Sequence, residues 1–139
     1  MKYWDPSAIV PVIVPQPERG RRIALLQEDG QAMSWWASRV ECASALHRLR
    51  RDEVLDEAGL TLALRKLETF FEKCLEVGPA EEVRGRALRL LRSHALRAGD
   101  ALQLAAALVA SHEAPEALPF VTSDLRLKAA AEREGFTVL

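Results

Sequence analysis

Four acidic residues far apart in this sequence, Asp5, Glu41, Asp100 and Asp124, stand in closely related settings. Asp5 follows the strand-like run Lys2–Trp4, and Asp124 follows the apolar run 120–122. Asp100 opens a strongly apolar helical stretch, and Glu41 falls in the first turn of the helix expected after residues 32–36. Asp is scarce, with only six in the chain, so half of them occupy this one context. In an open parallel sheet, ligands collect at the carboxyl ends of the strands, so all four acids are placed to converge on one sheet edge. Packed carboxylates repel one another. Mg²⁺ or Mn²⁺, which prefer oxygen ligands, would offset that repulsion. Such an ion activates water and stabilises charge on the attacking and leaving oxygens of a phosphodiester, so no side-chain nucleophile is needed.

Each acid also has a plainer reading. Asp and Glu at helix N-termini are favoured by capping and by the helix dipole, at about 0.3–1 kcal/mol each. Asp5-Pro6, Ser38…Glu41 and Ser123-Asp124 all fit that description, with Ser38 in the S-x-x-E spacing of a capping box. Spacing alone therefore leaves a metal site and four helix caps both open.

The elements that must position these residues follow from periodicity and turn signals. Residues 2–4 read as a strand, and Asp5 and Pro6 as a helix start, with Pro11 and Pro15 keeping that helix short or irregular. Residues 17–20 read as a loop, 21–28 as a helix closed by Asp29-Gly30, and 32–36 as a buried strand. A helix from Ser38 to about Arg51 presents Val40, Cys42, Ala43, Leu46 and Leu49; another spans 53–71, interrupted near Gly59. A short strand at 75–77 ends at Gly78-Pro79. A helix over 79–94 turns Val83, Ala87, Leu90 and Leu91 inward. Residues 97–99 read as a turn, 101–111 as a helix, 115–118 as a loop, 120–122 as a strand, 124–134 as a helix and 136–139 as a last strand. Short strands alternating with helices, without hairpin signals, predict an α/β fold: a three-layer sandwich with a central, mostly parallel sheet flanked by helices.

Length and composition agree with one domain over residues 1–139. A chain this long buries roughly 70% of its unfolded surface, enough for a core without staples. The 49% hydrophobic and 28% charged content excludes general disorder. Net charge is −1, which advertises no nucleic-acid surface, yet fifteen of the nineteen basic residues are Arg, whose planar fork suits phosphate. Cys42 and Cys74 lack zinc-ligand spacing and are expected to be reduced, in a cytoplasmic protein. No signal peptide, membrane span, nucleotide-binding glycine loop or G-x-S-x-G elbow is visible.

The words around the acids are more specific than the acids themselves. Y-W-D-P-S-A-I-V, S-R-V-E-C-A-S-A-L, G-D-A-L-Q-L-A-A-A-L and F-V-T-S-D-L-R-L-K-A-A-A-E-R-E-G-F-T-V-L stand in this order. Together they resemble the PIN-domain nucleases, and within them the VapC-type toxins of toxin–antitoxin pairs; residues 51–93 match only in helical character. The resemblance implies a PIN-like fold and a Mg²⁺- or Mn²⁺-dependent endoribonuclease. It assigns metal binding and catalysis to Asp5, Glu41, Asp100 and Asp124, with Ser7 and Thr122 as supporting hydroxyls. It further implies a small antitoxin partner and a homodimer or toxin–antitoxin hetero-oligomer, with part of the Ile9, Val10, Val12, Ile13 run facing partners. Pro6 and Pro11 depart from the pattern and bear on the first helix. Arg126 and Lys128 stand where some members carry a further acid, which bears on a second metal.

Arg39, Arg97 and Arg126 are candidates to hold RNA phosphates or an antitoxin carboxylate, against a reading as solvated charge. Trp4, Trp35 and Trp36 are expected in the core rather than stacked on bases. His47, His94 and His112 lie outside the acidic words and are expected on the surface or in helices. Two other readings stay open: a PIN nuclease of RNA maturation or acting on DNA, and a PIN-like RNA-binding or scaffold domain without catalysis.

Overall fold

The computed structural model describes residues 1–28 and 30–139. Its elements run β1 (Lys2–Trp4), α1 (Pro6–Ile13), α2 (Arg19–Gln27), β2 (Ala32–Trp35), α3 (Ser38–Arg51), α4 (Glu57–Phe71), β3 (Leu75–Val77), α5 (Glu81–Ser93), α6 (Ala98–Ala110), a 3₁₀ turn (Pro115–Ala117), β4 (Phe120–Val121) and α7 (Leu125–Arg133). Among the described residues the strands form one sheet in the order β3-β2-β1-β4, and every pairing is parallel. Tyr3 stands between Met33 on one side and Phe120 on the other.

Alternation along the strands sends successive side chains to opposite layers. Tyr3 and Phe120 join Leu104, Val83 and Leu127 in the core under α5, α6 and α7. Their neighbours Trp4 and Val121 join Ile9, Cys42, Leu46, Leu67 and Phe71 in the core under α1, α3 and α4. That is the expected three-layer sandwich. Because all strands run one way, their carboxyl ends share one edge. The chain leaves β1 for β2 on one side, while β4 returns to its other side, so the β1/β4 edge is the topological switch point where such sheets bind ligands.

Several local expectations need correction. Helix α2 begins at Arg19, inside the stretch read as a loop. Its expected stop at Asp29-Gly30 rests partly on Asp29, outside the described residues; Gly30 has φ +64°, a conformation that favours glycine. Pro11 sits within α1, which ends two residues later and hands over to an extended Val14 before Pro15. The break between α3 and α4 falls at residues 52–56, not at Gly59: the Asp56 carboxylate caps α4 by accepting from the Gly59 N–H at 2.6 Å. Residues 97–99 do not form a separate turn, since α6 already starts at Ala98. The last strand reduces to one bridge, Phe120 to Val138. Val40, Leu91 and Trp36 are exposed rather than buried; Trp36 lies just past the end of β2. His94 is packed against Glu134, not on the surface. Cys42 is buried, Cys74 partly so, and both are free thiols. No helix among the described residues is long and apolar enough to cross a membrane.

Candidate active site

Asp5 leaves β1 and caps α1, the role its Asp-Pro signal predicts. Its Oδ2 accepts from the Ser7 N–H (3.0 Å), the Ser7 hydroxyl (2.5 Å) and the Thr122 hydroxyl (3.1 Å). The two hydroxyls are held alike from behind. Ser7 Oγ accepts from the Ser123 N–H at 2.9 Å, and Thr122 Oγ1 from the Asp124 N–H at 3.0 Å. The loop after β4 is thereby tied to the loop after β1. Oδ1 of Asp5 takes none of these bonds and is the oxygen left for a ligand. Burial pushes this carboxyl up to about 6; its hydrogen bonds oppose the shift and repulsion from Glu41 adds to it.

Glu41 reaches the site from the first turn of α3. Its Oε1 accepts from Gln103 Nε2 at 3.0 Å. Gln103 lies one helical turn beyond Asp100 on α6 and is buried. Its carbonyl accepts from the Tyr3 hydroxyl at 2.9 Å, and its amide also donates to Ser38 Oγ at 2.8 Å. The Ser34 hydroxyl donates to the Trp4 carbonyl at 2.6 Å. One proton per hydroxyl then assigns the 2.8 Å Ser34–Ser38 contact to the Ser38 proton. The line from Gln103 through both serines to the β1 backbone is therefore fully used. This corrects the reading of Ser38 as a cap: α3 has no side-chain cap, because Ser38 is turned into this network. Gln103→Leu leaves the Tyr3 and Ser38 hydroxyls short of a buried partner. The variant is expected to lose about 2 kcal/mol in urea unfolding and to leave Glu41 without its orienting donor.

Asp100 is the third residue of α6, and burial raises its carboxyl, followed by repulsion from Asp124; the charges of Arg97 and Arg126 act the other way. Burial likewise raises Glu41, and repulsion from Asp100 adds to it. Asp124 caps α7, its Oδ1 accepting from the Arg126 and Leu127 N–H groups at 2.8 and 2.9 Å. The four acids thus repel one another in sequence: Asp5 with Glu41, Glu41 with Asp100, Asp100 with Asp124. They line one open cleft of about 430 Å³ with Ser7, Gln16 and Arg48.

No group of three His, Cys, Asp or Glu among the described residues stands as a ready-made metal cage. The oxygen-only donors suit Mg²⁺ or Mn²⁺ nonetheless, since these ions keep several waters and take only one or two carboxylates directly. No Arg or Lys among the described residues is ion-paired to any of the four acids; Arg97 and Arg126 offset the charge of Asp100 only from a distance.

Of the basic candidates, Arg39 is spent elsewhere: it pairs with Glu68 and Glu76 and lies over the Phe71 ring. Arg97 and Arg126 line a second cleft that shares Asp100 and Asp124 with the first. Arg48 and Gln103 escaped the sequence reading. Both had a usable signal: Arg48 lies seven residues, two helical turns, after Glu41, and Gln103 is a lone polar residue in an apolar helix near Asp100.

No family model matches the chain. FitAcB from Neisseria gonorrhoeae matches its fold with a TM-score of 0.68 at 19% identity, over 100% of this chain and 96% of that one. FitAB bound to an IR36 DNA fragment matches with 0.67 at 18%, over 100% and 94%. The architecture is PIN-like. Ribonuclease VapC45 of Mycobacterium tuberculosis (strain CDC 1551 / Oshkosh) is 33% identical over 106 residues, 76% of this chain and 74% of the relative. Ribonuclease VapC49 of M. tuberculosis (strain ATCC 25618 / H37Rv) matches to the same extent. The chain belongs to the VapC-type PIN-domain ribonucleases.

Proposed function

We infer that this protein is a divalent-metal-dependent endoribonuclease, the toxin of a toxin–antitoxin pair acting in the cytoplasm. The observation that carries the reading is the meeting of four carboxylates, from four separate elements, in one cleft with no cation among the described residues ion-paired to them. Asp5, through Oδ1, and Asp100 are the residues proposed to hold Mg²⁺ or Mn²⁺, with Glu41 and Asp124 completing the site around bound water. When bound, such an ion supplies an activated water and a stabilising charge for the phosphoryl oxygens. Ser7 and Thr122 fix the Asp5 rotamer. Glu41 Oε2, which has no hydrogen bond among the described residues, is proposed to take a proton from water while Gln103 holds Oε1.

Arg48, Arg97 and Arg126 are exposed around the acids, and none is ion-paired among the described residues. They are proposed to hold the phosphates flanking the scissile one, or a carboxylate of a small antitoxin. Arg48→Gln, Arg97→Gln and Arg126→Gln should each flatten the salt dependence of single-stranded RNA binding by about 0.7 in log K against log salt. Filter binding across a salt series measures this.

The function is tested by incubating mixed RNA and DNA pools with the isolated protein in Mg²⁺, Mn²⁺ or chelator. Internal cleavage of RNA that stops with chelator, and with Asp100→Asn, is the expected result. Preferential cleavage of DNA would move the substrate class, and binding without cleavage would make the protein a PIN-like scaffold.

A further inference from the structure

Helix α2 has a single buried residue, and it is an arginine. Arg22 is 4% exposed, a rare state for Arg without a dedicated partner. Its Nη2 donates to the Thr122 carbonyl at 3.0 Å and to Ser123 Oγ at 2.8 Å, and its Nη1 donates to the Leu139 carbonyl at 3.1 Å. Glu18, one turn earlier, lies 3.6 Å from the same Nη2 and accepts from the Ser123 hydroxyl at 2.5 Å. Helix α2 and the Glu18 that precedes it therefore grip Thr122 and Ser123 through one guanidinium and one carboxylate.

That segment carries the second half of the site. The Thr122 hydroxyl holds Asp5, the Ser123 N–H holds the Ser7 hydroxyl that also holds Asp5, and Asp124 follows directly. We propose that Arg22 is a positioning residue: its planar fork fixes the Thr122–Ser123–Asp124 segment against α1 and so sets where Asp5 and Asp124 stand. Only a planar group with several donors reaches two carbonyls and a hydroxyl at once; a lysine ammonium at the same place would satisfy fewer of them. The consequence for catalysis rests on the ribonuclease reading above, whereas the grip on the segment does not.

Two readouts separate positioning from general stability. In the metal-free protein, amide exchange at Ser123 and Asp124 is expected to rise about 10-fold or more in Arg22→Gln while amides 104–108 of α6 keep their wild-type rates. In Mg²⁺, kcat for RNA is expected to fall about 10²-fold with KM nearly unchanged, since a small displacement of reacting groups acts on the chemical step. Arg22→Lys keeps the buried cation, so it carries the same measurements if the Gln variant does not fold, and the same pattern with a smaller loss is expected. Wild-type exchange at 123 and 124 in a folded variant overturns the proposal. So does a rise shared equally by the α6 amides. A wild-type protein that cuts no RNA, with exchange at 123 and 124 still dependent on Arg22, overturns the ribonuclease reading and leaves the grip standing.

Discussion

Asp5→Asn is expected to leave the metal-free protein more stable than the wild type by about 3 kcal/mol at pH 8 and to slow RNA cleavage by about 10³-fold. The first effect follows from burial. The folded Asp5 carboxyl titrates at about 6 against an ordinary 3.8, a difference worth about 3 kcal/mol. Its pKa is raised, so the folded state holds the proton more tightly than the unfolded one. The stability this provides is fully present below 3.8, is lost as pH rises through about 6, and is absent at pH 8. Asparagine carries no charge there and escapes the cost. Its single carbonyl can replace Oδ2, where the Ser7 and Thr122 donors converge, so the local hydrogen bonds survive. Cleavage is expected to fall because the other position, now an amide NH₂, could not ligate the proposed cation. Urea unfolding at pH 8 with chelator, beside cleavage rates in Mg²⁺, measures both. A variant less stable than wild type would show that Asp5 is retained as a cap and not for a ligand.

The second large effect is metal-linked stability. At a Mg²⁺ concentration of 100 times Kd, binding to the folded state adds about 2.7 kcal/mol, a rise in Tm of about 10 °C for a chain of this size. Protons and metal compete for the same oxygens. Burial and mutual repulsion raise Asp5, Glu41 and Asp100 together. The gain is therefore expected to be full at pH 8 and to shrink steadily as pH falls through about 6. Thermal scans with and without Mg²⁺ at several pH values test this. An equal gain at pH 5 and pH 8 would contradict it.

The parts of this structure readable in the sequence are those governed by local chemistry. Asp-Pro marks α1, short strand-like segments mark all four strands and a fifth that shrinks to one bridge, and the 3.6-residue spacing marks the main helices. Parallel order then placed the acids at one edge. Partnerships across long separations were not readable. Ser38 has the spacing of a cap, yet a deeper partner in Gln103, sixty-five residues away, takes its hydroxyl. Arg39 sits beside the acids in sequence, but helical rotation carries it to Glu68 and Glu76. Arg22 reads as one more charge on a polar helix until β4 and the C-terminal segment are brought beside it. Trp36 follows a buried strand, but β2 ends one residue earlier and leaves it exposed.

The carboxylates of Asp5 and Asp100 are proposed to hold one divalent ion jointly. Titration of Mn²⁺ into the metal-free protein at pH 8, followed by the electron paramagnetic resonance of the free ion, tests it without RNA. Saturable binding by the wild type, weakened about 10-fold or more in both Asp5→Asn and Asp100→Asn, is the expected result. No saturable binding by the wild type, or equal affinity in all three proteins, would contradict it.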